Sequence, residues 1–138
     1  MEHTPSQKVE WSPQPEEHFT GKAWMGVLSR ADDRVLNAIT VVFEPGARTH
    51  WHSHPEGQVL YVTSGTGRAG TEGRSIVELS PGDVVYANPG ELHWHGAGPD
   101  SPMSHLSLTT GGATVWEPRA VTDEEYSADK SSIPRAGD

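Results

Sequence analysis

The sequence predicts an all-β barrel or sandwich built as one domain, and three observations carry that reading. Short apolar, β-branched runs recur through the middle of the chain, each closed by Gly, Pro, Asn or Asp about every eight to twelve residues. No interior stretch carries the apolar period of a helix. Two histidine clusters, His50-Trp51-His52-Ser53-His54 and His93-Trp94-His95, set their imidazoles at alternate positions, which is the period of a strand.

The elements follow in order. Residues 1–17 are polar and acidic, without periodicity, and read as an N-terminal arm. An edge strand is expected near Gly21–Leu28. Val35–Phe43 is an apolar run stopped by Glu44-Pro45-Gly46. Gln58–Thr63 is another, turned by Ser64-Gly65-Thr66-Gly67. Ser75–Leu79 ends at Ser80-Pro81-Gly82-Asp83, and Val84–Ala87 ends at Asn88-Pro89-Gly90-Glu91. His93–Gly96, Met103–Thr109 and Ala113–Trp116 complete the strands of a barrel spanning residues 18–126. Thr122 to Tyr126 reads as a capped helical turn, with Thr122 as N-cap and Glu125 at its third position. Residues 127–138 read as a flexible tail.

Composition narrows the chemistry. A chain of 138 residues makes one domain with room for a core. It has no cysteine, which excludes a disulfide framework, a thiolate metal site and a catalytic thiol. Any metal must be held by nitrogen and oxygen. The net charge of −9 disfavours nucleic acid and anionic membrane as partners. The N-terminus lacks the pattern of a secretory signal, and no apolar run approaches the roughly 20 residues of a membrane span. A cytoplasmic location is expected.

Six of the eight histidines lie between His50 and His105. His52 and His54 share one strand face, and His50 and Arg48 have their parity. Arg48 is expected to make a salt bridge at the barrel mouth. After the Pro55-Glu56-Gly57 turn, Gln58 returns beside His52 and His54 with a neutral acceptor oxygen. His93 and His95 share a second face, and His105 lies on a strand with Met103, Ser107 and Thr109 on its side. Ile39, Val41, Phe43, Leu60 and Val62 are expected as cavity walls. Trp51 and Trp94 have opposite parity and should pack between sheets or at a subunit interface. Glu91, in a turn, is expected to be solvated. A lone His-x-His is usually structural, but several inward imidazoles without a metal would crowd a barrel with unpartnered nitrogens.

These residues resemble the single-domain cupins. Gly46, His52, His54 and Gly65 match the first cupin motif, G-x5-H-x-H-x(3,4)-E-x6-G, with Gln58 at the Glu position. The second motif matches in part. Gly82 to Pro89-Gly90 holds one extra residue, Glu91-Leu92-His93 places the histidine, and Gly96 or a neighbour replaces the closing Asn. The resemblance covers about residues 35–110 and implies a jelly-roll barrel, the double-stranded β-helix. It implies His52, His54, Gln58 and His93 as the four protein ligands of a metal. Phe43–Gln58, Pro81–Val85, Pro89–Ala97 and Met103–Leu106 further resemble bacterial manganese-dependent cupins that include hydroxynitrile lyases, where Gln also replaces Glu. Manganese is therefore the expected ion, with iron, nickel or zinc as alternatives.

Three imidazoles and an amide leave a divalent charge unneutralised, which strengthens the ion as a Lewis acid. His105 and His95 are the candidate proton acceptors, kept neutral near a cation. Their alternative role is to hydrogen-bond ligands or water, and His50 is a third polar candidate. The expected function is a metal-dependent lyase of the hydroxynitrile-lyase type acting on a small oxygenated molecule. Ile39, bulky for such a pocket, and Thr109, in place of a longer amide, count against it. A metal-dependent dioxygenase or oxidase is the alternative, and a non-catalytic metal- or small-molecule-binding barrel is the second alternative. Phe19–Leu28 could cover a neighbour's open sheet edge, so a homodimer or homotetramer is expected.

Overall fold

A computed structural model describes residues 1–29, 35–74 and 76–127. Ser75 and the expected tail beyond Ser127 lie outside the described residues. In chain order the strands are β1 (Trp11–Pro13), β2 (Phe19–Thr20), β3 (Ala23–Ser29), β4 (Leu36–Phe43), β5 (Arg48–Thr49), β6 (His52–Ser53) and β7 (Gln58–Gly65). They continue with β8 (Gly67–Thr71), β9 (Val77–Leu79), β10 (Val84–Ala87), β11 (His93–Ala97), β12 (Met103–Thr110) and β13 (Val115–Trp116). One helical turn, α1 (Asp123–Tyr126), follows.

Two antiparallel sheets face each other as a jelly roll. The first runs β1-β3-β4-β12-β7-β10. In the second, β11 lies at the centre. It pairs with β5 and β6 on one side and with β8 on the other, and β2, β13 and β9 extend these. The expected strand near Gly21–Leu28 forms as β3, but it is not an edge. Trp11–Pro13, within the expected arm, pairs outside it, and β4 pairs on its other side. Both β2 and β3 find their partners within the chain.

Register decides which side chains face inward. On β4 and β12, Phe43 lies opposite Met103, Val41 opposite His105, Ile39 opposite Ser107 and Asn37 opposite Thr109. This row lines the interior, while Leu108 on the other face is exposed. Phe43, Val41, Val62 and Met103 are among the buried residues of the main core. Each such side chain contributes roughly 1.5–3 kcal/mol by its removal from water.

The parity expected of Arg48 and His50 does not hold. Gly96 of β11 pairs with Arg48, and His93 pairs with His52. Three steps along β11 thus match four along the partner, so one extra residue is accommodated around His50-Trp51. The bulge reverses the face. Thr49 and His52 both point inward, whereas Arg48 turns to the outer side. There its Nη2 donates to the Val121 carbonyl at 2.9 Å and to Asp123 Oδ1 at 3.0 Å. The guanidinium also stacks on the Tyr126 ring, 4.4 Å from its centre. Arg48 makes its salt bridge, but it latches the C-terminal turn rather than guarding the mouth.

That turn is built as expected. Thr122 Oγ1 accepts from the Glu125 amide at 3.1 Å, and Glu125 accepts from the Thr122 amide at 2.9 Å. It covers a second buried cluster of Trp51, Ile76, Trp94, Val121 and Tyr126. The two tryptophans therefore pack outside the barrel, beneath this segment. Strand β8 has no apolar, β-branched pattern to announce it, because glycine and alanine serve a packing need. A side chain at Gly70 would collide with the Trp94 indole.

Candidate metal centre

Five buried histidines meet between the sheets: His52, His54, His93, His95 and His105. Strand β6 brings His52 opposite His93 of β11. Alternation along β11 adds His95, and β12 adds His105 from the facing sheet. Ring centres stand 4.4 Å apart for His52 and His93, 5.1 Å for His52 and His54, and 4.8 Å for His95 and His105. Among the described residues, His52, His93 and His95 each offer a ring nitrogen within 4.8 Å of the others.

Backbone carbonyls set the tautomers. His52 Nδ1 donates to the His50 carbonyl at 2.9 Å, and His93 Nδ1 donates to the Glu91 carbonyl at 2.8 Å. Both Nε2 atoms then carry lone pairs turned to the interior, the arrangement that orients metal-ligating histidines. His54 Nε2 is buried without a hydrogen-bond partner, as are His95 Nε2 and His105 Nδ1. Buried ring nitrogens without a protein partner mark a place for a metal ion, water or ligand.

Gln58 sharpens the point. Its Nε2 donates to Ser107 Oγ at 2.8 Å, and its Oε1 faces His93 Nε2 at 3.0 Å. In this orientation two acceptors are in contact, and a cation beside both reconciles them. Donors at adjacent octahedral corners with bonds of about 2.1 Å stand about 3.0 Å apart. The residues present therefore fit a divalent ion.

Electrostatics agree. Burial, then His93, holds His52 well below the usual histidine range. Burial and then His105 do the same to His95. His54 is pushed down to about 4 by burial and by His93, and His105 to about 4 by burial. Burial also lowers His93, against the opposing Glu91 carbonyl. All five are neutral at pH 7, the form that binds metals. Among the described residues, no carboxylate lines the cavity onto which His52, His54, His95 and His105 open. Glu91 instead caps its own turn, accepting from the Asn88 amide at 2.9 Å, which holds its carboxyl below the usual range.

His95 and His105, expected as acid–base residues, are joined Nδ1 to Nε2 at 3.0 Å. The structure also groups His95 with His52 and His93, in keeping with the strand face it shares with His93. Ile39, Val41 and Phe43 line the cavity as expected, whereas Leu60 and Val62 are fully buried away from it. His50 does not reach it. Trp116 does, and the sequence offered no means to place it. Its two-residue strand has no readable face, and only its pairing opposite His52 brings its ring 4.8 Å from that imidazole. His18 stacks on Trp116 at 4.1 Å.

A small double-sheet barrel with a buried group of neutral histidines defines a protein suited to hold a divalent cation in its interior. Its residues 39–109 match the cupin domain model. The chain belongs to the cupin family. It is 49% identical over 116 residues to an (R)-mandelonitrile lyase of Granulicella tundricola, covering 81% of this chain and 88% of that one. Among solved structures, it resembles a cupin-like protein of Thermotoga maritima, with 42% identity, a TM-score of 0.80, and coverage of 83% and 90%. It also shares its fold with a polyketide cyclase of Streptomyces resistomycificus, with 16% identity, a TM-score of 0.74, and coverage of 91% and 90%. Among the described residues, no helix is long and apolar enough to cross a membrane.

Proposed function

We propose that this chain is a metal-dependent lyase of the hydroxynitrile-lyase type, cleaving a cyanohydrin to a carbonyl compound and hydrogen cyanide. The observation that carries this reading is one cavity lined by His52, His54 and Gln58 together with the buried His95–His105 pair, and by no carboxylate among the described residues. The 49% identity to a mandelonitrile lyase supports the same chemistry. In this reading His52, His54, Gln58 and His93 hold the ion, with manganese favoured. When bound, such an ion supplies a Lewis acid to the substrate hydroxyl.

The chain's own residues do the rest. His95 Nδ1 donating to His105 Nε2 leaves a lone pair on His95 Nε2, which takes the hydroxyl proton as the C–C bond breaks. The bonding pair leaves with cyanide, the C–O bond becomes a carbonyl, and the proton is returned to cyanide. His105 accepts the hydrogen bond that stabilises the charged His95. In the opposite tautomer His105 Nδ1 is the free acceptor, so the pair serves as a two-ended base. The aromatic and aliphatic walls exclude water from the departing charge.

The test is cyanohydrin cleavage and its reverse by manganese-loaded protein, beside His52→Ala and His105→Ala. Metal content should collapse in the first variant and persist in the second, with turnover lost in both. Undiminished turnover in His52→Ala, or no turnover by fully loaded protein across a panel of cyanohydrins, refutes the proposal.

A further inference from the structure

We infer that the site is cut for a small aliphatic oxygen compound and closed to an aryl ring, and that Ile39 is the residue setting this limit. The inference rests on the metal-centre reading above and adds the substrate's size to it. The cavity between the sheets has a volume of about 60 Å³. An apolar protein cavity of about 150 Å³ takes up benzene. The space beside the histidines is thus less than half of that benzene-holding cavity.

What fills the missing space is specific. The inward row of β4 presents Ile39 opposite Ser107, one pairing step from Val41 opposite His105. Met25 stands across from Val41 on β3, and Trp116 closes the side above His52. Trp116 is pinned between His18, 4.1 Å away, and His52, 4.8 Å away, so it cannot swing aside without unstacking both. Phe43 is fully buried and held against Phe19 and His105. Ile39 is only half-buried and aliphatic, and no ring stack or hydrogen bond anchors its side chain. Its truncation is the change that enlarges the cavity next to Gln58 and Ser107 without disturbing a ligand. Asn37 Nδ2 donates to Thr109 Oγ1 at 3.0 Å, adding a polar pair beyond Ile39 along the same row.

The experiment uses the manganese-loaded full chain and reads water-proton relaxation, which falls when an anion displaces water from the ion. Formate and benzoate are the probes, titrated into the wild type, Ile39→Val and Ile39→Ala. Formate should bind at least tenfold more tightly than benzoate to the wild type. Benzoate affinity should rise about tenfold in Ile39→Ala and less in Ile39→Val, with formate unchanged within twofold. Equal affinity of the two anions for the wild type overturns the size limit. A preference for formate that persists unaltered in both variants overturns the role of Ile39. A chain that takes up no manganese fails earlier, at the metal-centre reading, and brings the size inference down with it.

Discussion

Ser107 should control the metal through Gln58. The Nε2 group of Gln58 donates to Ser107 Oγ at 2.8 Å, and both residues are buried. With Oε1 turned to the cation, Ser107→Ala would leave that N–H buried without a partner. Such a loss costs about 1–3 kcal/mol. Removal of an outer partner of a metal ligand lowers affinity by about 10–100-fold, which is about 1.4–2.8 kcal/mol and agrees with the hydrogen-bond figure. The assay is calorimetric titration of metal-stripped protein with Mn²⁺, beside Ser107→Ala, Gln58→Leu and the double variant, each first shown to melt cooperatively. Ser107→Ala should cost about tenfold or more in the native background and almost nothing once Gln58 is gone, because Ser107 acts only through that amide. A loss of equal size in both backgrounds, or under threefold in the native one, would refute the reasoning.

Acid should destabilise the metal-free protein in a defined window. His105 titrates near 6.5 when unfolded and is pushed down to about 4 in the fold. The unfolded chain therefore binds more protons between these values, so stability present above pH 6.5 is lost as pH falls towards 4. His105 alone accounts for roughly 3 kcal/mol, and a melting temperature flat from pH 7 to 4.5 would contradict this. Gly96→Ala would drive a methyl group into the Ala47 carbonyl and Arg48 backbone, and should cost about 3 kcal/mol in urea unfolding. A cost below 1 kcal/mol would show that β5 gives way. Thr122→Ala removes the capping box of α1 and should cost about 0.5–2 kcal/mol. Trp94 fluorescence should then report loosening of the cluster beneath that turn before the global transition.

The alternation His52-x-His54 and His93-x-His95 was legible because a strand converts odd and even positions into faces, and Gln58, His105 and the walls of β4 followed from the same rule. It failed at Arg48 and His50. A bulge adds one residue against β11 and reverses the face, and nothing in Arg48-Thr49-His50-Trp51 announces it. It also missed β8, whose glycine and alanine content makes room for Trp94 rather than expressing strand propensity.

By itself, the sequence determined the all-β class, the capped C-terminal turn, and a nitrogen- and oxygen-only set of candidate ligands. These depend on local periodicity, capping chemistry and residue type, all of which are written along the chain. Only the tertiary structure decided that His95 stands with His52 and His93 while bonding to His105, that Trp116 faces His52, and that about 60 Å³ is left beside them. Those outcomes depend on pairing register between strands far apart in sequence and on the volume left by packing. A single shift or one added methyl group changes them, and neither register nor residual volume has a local signature.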